Sequence, residues 1–355
     1  MGATNALVTD EAGQPWIDVD DHGEARRTRW KRRTRARAIA YIDDETRRHQ
    51  ESSSPLKRLK TCGLAKAPDV TIRLHQGRAF ATGLLACGNI WTCPTCSARI
   101  RARREVEIEG ALATHVAGGG TIGMMTLTLQ HDATMPLKST IERLNRAWND
   151  LTGRRQYRKL HMALTGTITT MEITTGSGNA GWHPHLHILL LVGPDSTEAD
   201  INAGTRGLHA AWSKMVNKTT TKYSLEHGLN LTWFGKDSAT AAKYVTKLAK
   251  EITLTDSKNG NDPFSLLDDD DAQHTAMFLE YANATYGRQA HRWSNGLRKA
   301  LTMGDELTDE ELAEDNSEIG TEELVIDAAN WNKITESERI SWIELVEALH
   351  LFSSA

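Results

Sequence analysis

The run His183-Pro184-His185-Leu186-His187 sets His185 and His187 two residues apart and continues into the apolar stretch Ile188 to Val192. On a strand, residues two apart share a face, so these imidazoles converge while Leu186 turns to the core. Paired imidazoles make a clamp for a divalent metal. Burying them without partners would be costly, so a strand that places both on one face needs something for them to bind. Glu172 lies in the preceding strand-like run, Thr165 to Thr175, linked by the Gly/Ser/Asn-rich segment Gly176 to Gly181. That pattern reads as a hairpin bringing Glu172 beside the histidines. A Glu/His/His set suits Mg²⁺ or Mn²⁺ working on phosphate oxygens. His183 is the alternative third ligand, unless a bulge at Pro184 shifts its parity. The bland reading is a set of satisfied histidines with an exposed carboxylate.

A second group is Lys243-Tyr244-Val245-Thr246-Lys247. Tyr244 and Lys247, three apart on a helix, share a face. A phenol beside a metal-polarised phosphodiester is a nucleophile, and a nearby lysine favours the phenolate. Taken alone, the motif is the ordinary one of packing plus a solvated face. The third group is Cys62, Cys87, Cys93 and Cys96, which are all the cysteines of the chain. The Cys93-Pro94-Thr95-Cys96 knuckle has metal-turn spacing, and four thiolates are what a closed tetrahedral Zn²⁺ site takes. Cys62 stands furthest from the others, and His75 is its alternative.

The elements that must position these groups are legible in outline. Strands are expected at Thr121 to Gln130, Thr165 to Thr175, Trp182 to Val192 and Leu229 to Trp233. Helical spacing covers Leu137 to Leu151, Ala199 to Asn217, Asp237 to Ile252 and most of Ala276 to Ala300, with a break at Gly287. Thr335 and Glu338 form a capping box that opens a last amphipathic helix. The chain divides into a basic, partly disordered arm (1–55), a cysteine module with a basic helix (56–112), a strand- and helix-rich body (113–302), and an acidic segment with a terminal helix (303–355).

Composition is that of a globular chain: 355 residues, 39% hydrophobic, 25% charged, net charge −4. This excludes fibrous and wholly disordered classes. No apolar run approaches the ~20 residues of a membrane span, and the start lacks a signal-peptide pattern, so a cytoplasmic protein is expected. The charge is uneven. Gly304 to Asp327 holds 11 acidic residues and no lysine or arginine, and without it the remainder is +7. Glu24 to Lys60 alone is +8. That asymmetry points to nucleic acid, with Arg99, Arg101, Arg103, Arg104, Lys243 and the stretch 26–37 as expected phosphate contacts.

Three motifs occur in one order: Thr126 to Leu129 (Thr-Leu-Thr-Leu), the His-Leu-His strand, and Tyr244-x-x-Lys247. In that order they resemble the HUH endonucleases, most closely the rolling-circle replication initiators of plasmids. The stretches Tyr286 to Arg298 and Pro263 to Leu267, with the four cysteines, resemble the form carried by actinobacterial plasmids. The resemblance covers roughly residues 60 to 330. It implies an α+β fold, an antiparallel sheet flanked by helices, and a site- and strand-specific nick at a plasmid origin. Tyr244 would attack, keep the 5′ phosphate as a phosphotyrosine and free a 3′ hydroxyl for priming. His185, His187 and Glu172 would hold the metal. Duplex or hairpin origin DNA cleaved as a single strand, and a host helicase, are the implied partners. Some related initiators carry a glutamate four residues before the tyrosine. Here that position is Thr240, with Asp237 and Glu251 the nearest acids, which leaves termination without its usual group. The rivals are a single-tyrosine transposase or relaxase of the same superfamily and, from another class, a zinc-finger DNA-binding protein without catalysis.

Overall fold

The computed structural model describes residues 8–9, 15–16, 23–49, 53–129, 134–175, 181–217, 228–234, 244–253, 262–314 and 319–353. The helices used below are α1 (Gly23–Arg48), α2 (Pro94–Ala117), α3 (Leu137–Thr152), α4 (Val245–Thr253), α5 (Ala272–Thr285) and α6 (Glu336–Ser353). The strands are β1 (Asp69–His75), β2 (Arg78–Thr82), β3 (Thr121–Thr128), β4 (Leu164–Thr175), β5 (Trp182–Val192), β6 (Leu229–Phe234), β7 (His291–Trp293) and β8 (Thr321–Asp327). Helices and antiparallel sheets coexist, as the α+β expectation requires. Two compact units share the chain: 1–103 with 266–276 and 307–355, and 104–265 with 277–306.

In the first unit a three-stranded sheet, ordered β8-β1-β2, packs with α1 and α6. Its core joins Trp30 of α1, Val70, Ile72 and Leu74 of β1, Trp331, and Ile340, Ile343 and Val346 of α6. Within the basic arm, Gly23–Arg48 is a 26-residue helix with a buried face. Its arginines are matched by carboxylates from distant sequence: Arg26 by Glu347 at 2.9 Å, Arg27 by Glu344 at 2.9 Å, Arg32 by Asp268 at 2.7 Å and Arg33 by Glu336 at 2.7 Å. The acidic segment is likewise part of the fold, since Thr321–Asp327 supplies an edge strand to β1. Long-range charge pairing and strand pairing, invisible locally, join the ends of the chain.

The second unit is built on a five-stranded sheet, ordered β6-β3-β5-β4-β7, with every neighbouring pair antiparallel. The long β4–β5 hairpin is where the period-2 pattern placed it. The expected helix Ala199 to Asn217 is two helices, Glu198–Thr205 and Leu208–Asn217. Gly207 between them has φ +82, a left-handed conformation that stops the first helix at little steric cost. His291–Trp293, expected in helix, is a strand on the β4 edge. Three residues carry too little pattern to override the surrounding helical spacing. The last helix begins as expected: the Thr335 hydroxyl accepts from the Glu338 N–H at 3.3 Å, and Glu338 accepts from the Thr335 N–H at 2.6 Å. Among the described residues no helix is long and apolar enough to cross a membrane.

Candidate functional site

Register fixes which side chains share a face of the five-stranded sheet. Glu172 on β4 pairs directly with His185 on β5, and Thr170 with His187. On the other side of β5, Thr128 pairs with His185 and Thr126 with His187. Extending the His187 row outward reaches Asn230 on β6 and His291 on β7. Paired residues project to the same face, so one transverse row reads Asn230, Thr126, His187, Thr170, His291. The opposite face carries Leu186, Ile188 and Leu190, all fully buried, with α3 packed against β5. That alternation gives each histidine of β5 a half-buried position between two buried neighbours.

The hydrogen bonds orient the site. His187 Nε2 lies 2.8 Å from a Glu172 carboxylate oxygen, and its Nδ1 lies 3.2 Å from the Thr126 hydroxyl. With both ring nitrogens engaged, the orientation of the His187 ring is fixed. The His185 and His187 rings are 6.3 Å apart and tilted by 31°, while His183 and His185 stack at 6.3 Å. The ladder shows no shift at Pro184, which pairs with Ile173 between Glu172↔His185 and Thr174↔His183. His183 therefore keeps the parity of the other two, and burial lowers its pKa. Trp182, on the other face, donates Nε1–H to Glu280 at 2.9 Å and stacks on Tyr281 at 5.7 Å. That clamp fixes the start of the histidine strand.

The donor set Glu172, His185 and His187 fits a hard divalent cation chemically: one carboxylate and two imidazoles on one half-buried face. In this arrangement Glu172 closes directly on His187.

The tyrosine helix packs on the histidine-bearing face. Val245, Leu248 and Ala249 of α4 join Ile122, Ile168, Leu189 and Leu191, which share parity with His187, Thr126 and Thr170. Ile108, Ala111, Leu112 and Val116 of α2 complete that cluster. Tyr244 is 36% exposed, and its ring lies 5.3 Å from Phe234 of β6. Phe234 belongs to the Ile122 row, four residues along the sheet from the Thr126 row, about 13 Å at ~3.3 Å per residue. Tyr244 and the imidazoles thus share a face, at its apolar and polar ends respectively. The Tyr244 carbonyl accepts the Leu248 N–H at 2.8 Å, which makes Tyr244 the N-cap at the positive end of the helix dipole. Lys247 is exposed on the same helix. Lys243, Thr240 and Asp237 lie outside the described residues.

The four cysteines converge. Among the described residues, theirs is the group in which three or more potential ligand atoms lie within 4.8 Å of one another. Sulfur–sulfur distances are 3.6 Å for Cys62–Cys93 and 3.7 Å for both Cys62–Cys96 and Cys87–Cys96. A tetrahedron with zinc–sulfur bonds of about 2.3 Å has edges of about 3.8 Å. Cys62 rather than His75 thus completes the set. The neighbouring thiols, as hydrogen-bond donors, hold the Cys62 pKa well below the usual value. Burial pushes Cys93 up.

The arginines expected to contact phosphate are engaged within the protein. Arg101 is buried and bonds Ser97 at 3.0 Å. Arg103 donates to the Leu312 carbonyl at 2.8 Å and Arg99 to the Ala313 carbonyl at 3.3 Å, tying down the acidic segment. Arg104 is buried, with Glu107 at 2.8 Å and Glu306 at 3.3 Å. Ser97 and Glu107 are local partners, but clustering of arginine in sequence gave no sign of Leu312, Ala313 and Glu306, which come from about 200 residues away. Sequence reasoning also gave no role to His291, whose Nδ1 lies 2.9 Å from the Thr170 hydroxyl, and read Arg33, which lies near Cys62 and Cys93, only as a phosphate contact.

A family profile described as "Replication protein" matches residues 85–339, more than half of the chain. A "Protein rep" of Streptomyces lividans is 26% identical over 308 residues, covering 66% of this chain and 67% of that one. A "Neomycin resistance protein" of Streptomyces cyanogenus is 33% identical over 147 residues, covering 34% and 33%. A "Protein rep" of Lactiplantibacillus plantarum is 28% identical over 181 residues, covering 47% and 55%. The chain therefore spans a third to two thirds of these relatives. No solved structure matches it. With the profile spanning the cysteine knuckle, the histidine strand and the tyrosine helix, the chain belongs to the Rep_1 replication protein family.

Proposed function

We propose that this replication protein initiates rolling-circle replication of a plasmid by nicking one strand of its origin, with an HUH endonuclease site and Tyr244 as nucleophile. One observation carries the reading: Glu172, His185 and His187 are neighbours on one sheet face, and the helix capped by Tyr244 packs on that same face. Family membership supports the replication role.

The Tyr244 hydroxyl oxygen attacks the scissile phosphorus and the bond to the 3′ oxygen breaks. The phenolic proton is lost, the 3′ oxygen gains one, and the 5′ phosphate stays joined to Tyr244. Attack by a later 3′ hydroxyl on that phosphotyrosine reverses the step, so no energy-rich co-reactant is needed. The N-cap position sets the attacking oxygen and the phosphate at a helix N-terminus, which favours negative charge. Lys247, one turn along, adds positive potential for the charge developing on phosphate. Glu172 and Thr126 orient His187. A Mg²⁺ or Mn²⁺ ion held by Glu172, His185 and His187 supplies phosphate polarisation when bound. Zn²⁺ on Cys62, Cys87, Cys93 and Cys96 is the structural metal of the proposal.

The test is incubation of the purified chain with supercoiled plasmid carrying its own replicon, in Mn²⁺ or in EDTA. Metal-dependent conversion to open circles, with protein covalently attached to a 5′ end, supports the reading. A mobility shift without cleavage would establish the non-catalytic DNA-binding alternative instead.

A further inference from the structure

Four thiolates around one Zn²⁺ leave a net charge of −2. Here the four cysteines are all buried, so such a centre has little water to screen it. Buried charge of this size needs counter-charge. Arg33 of α1 supplies part of it. Its side chain is 2% exposed, stacks over the Trp30 ring at 4.4 Å and donates to Glu336 at 2.7 Å. Its guanidinium reaches the turn that carries Cys62. A Cβ on Gly63 would lie 2.6 Å from Arg33 Cζ and displace the guanidinium, and Gly63 itself sits at φ +82, a conformation that favours glycine.

Arg33 does not hold Glu336 alone. Arg37 approaches the same carboxylate at 3.4 Å and Arg339 at 3.3 Å. Arg339 also donates to the Trp331 carbonyl at 2.8 Å, and Trp331 Nε1–H donates to the Gly63 carbonyl at 3.1 Å, so the group is braced against the cysteine turn. Among the described residues, three arginines share one carboxylate, a surplus of two positive charges. Arg33 is the member of this group that reaches the cysteine turn, and the sharing of Glu336 leaves it incompletely neutralised there. Beside a zinc tetrathiolate that positive charge offsets part of the negative surplus.

We infer that Arg33, backed by the Arg37–Glu336–Arg339 group, is the outer-sphere charge partner of a metal–thiolate centre and sets how tightly that centre holds its metal. The inference rests on the proposed reading of the four cysteines as zinc ligands. Arg33 is a positioning residue, not a ligand.

The test uses full-length zinc-loaded protein titrated with a chromogenic chelator, and the cobalt-substituted form for spectroscopy. Arg33→Met, which keeps length and apolar packing, is expected to weaken zinc retention about 10- to 100-fold, the usual scale for loss of an outer-shell partner. It is also expected to shift the sulfur-to-cobalt charge-transfer band to lower energy, because the thiolates lose a stabilising cation. A purely structural role would not move that band. Arg33→Lys, which keeps the charge but loses the stacked, forked contacts, is expected to retain zinc better than Arg33→Met and to leave the charge-transfer band nearer its wild-type position. Wild-type retention in a folded Arg33→Met protein would overturn the inference. Loss in Arg33→Lys as large as in Arg33→Met would also overturn it. If Arg33→Met does not fold, the shift of the band in the charge-neutral Arg33→Gln carries the test, an unmoved band overturning the inference. Wild-type protein that takes up no zinc would instead overturn the reading of the cysteines, a distinguishable failure.

Discussion

Replacing Tyr244 with phenylalanine separates the proposed chemistry from the fold. The substitution removes one oxygen and keeps the ring that lies 5.3 Å from Phe234. Tyr244 is 36% exposed, and its backbone role, accepting the Leu248 N–H at 2.8 Å, does not depend on the side chain. The expected stability change is therefore within the surface range of about 0.5 kcal/mol. For a chain of this size that is a melting shift of no more than about 2 °C. Origin binding, dominated by phosphate contacts, should be within about twofold of wild type. Nicking should fall by at least ~10³, because a missing nucleophile has no substitute in a direct transesterification. The assay is Mn²⁺-dependent relaxation of supercoiled origin plasmid, read in parallel with denaturing gels that detect protein–DNA adducts. An adduct in the Tyr244→Phe protein would remove Tyr244 from the mechanism. Equal loss of binding and nicking would show that the residue serves DNA docking instead.

His185→Ala and His187→Ala are each expected to abolish metal-dependent cleavage, and Glu172→Gln, which weakens the 2.8 Å bond to His187, to raise the Mn²⁺ concentration needed by at least tenfold. Cleavage at wild-type rates in both histidine variants would refute the ligand assignment. Leu248→Ala removes a fully buried side chain under the tyrosine helix and should cost about 2–5 kcal/mol in denaturant unfolding, a value near zero showing that α4 does not rest on the sheet. His115 is buried, with Nε2 3.2 Å from the Thr121 carbonyl oxygen, and burial lowers its pKa. The unfolded chain then binds a proton more readily than the folded one. Its contribution is present in full above about pH 6.5 and is lost as pH falls below that value. Unfolding midpoints measured between pH 7.5 and 5.5 should drop, and His115→Gln should flatten the slope.

Much of the site was written in the sequence because it depends on short-range periodicity. The period-2 run from Trp182 to Val192 specified which residues of β5 share a face, and the Gly-rich link after Thr175 specified a hairpin. Together they set Glu172 opposite His185 within 14 residues of chain, where local pattern is enough. The Thr335–Glu338 box specified a helix start for the same reason.

What needed the tertiary structure was every feature whose partner is far away in sequence. The arginines of 26–37 and 99–104 read as a DNA-facing surface, because charge in sequence does not say where the opposite charge lies. Folding brings Glu336, Glu344, Glu347 and the carbonyls of Leu312 and Ala313 to them. His291 enters the histidine row through a three-residue strand too short to announce itself. Tyr244 and His187 are 57 residues apart, and only the packing of α4 on the apolar end of the sheet puts them on one face. Side-chain type and periodicity are properties of neighbours in the chain, whereas charge partners and shared faces are properties of neighbours in space.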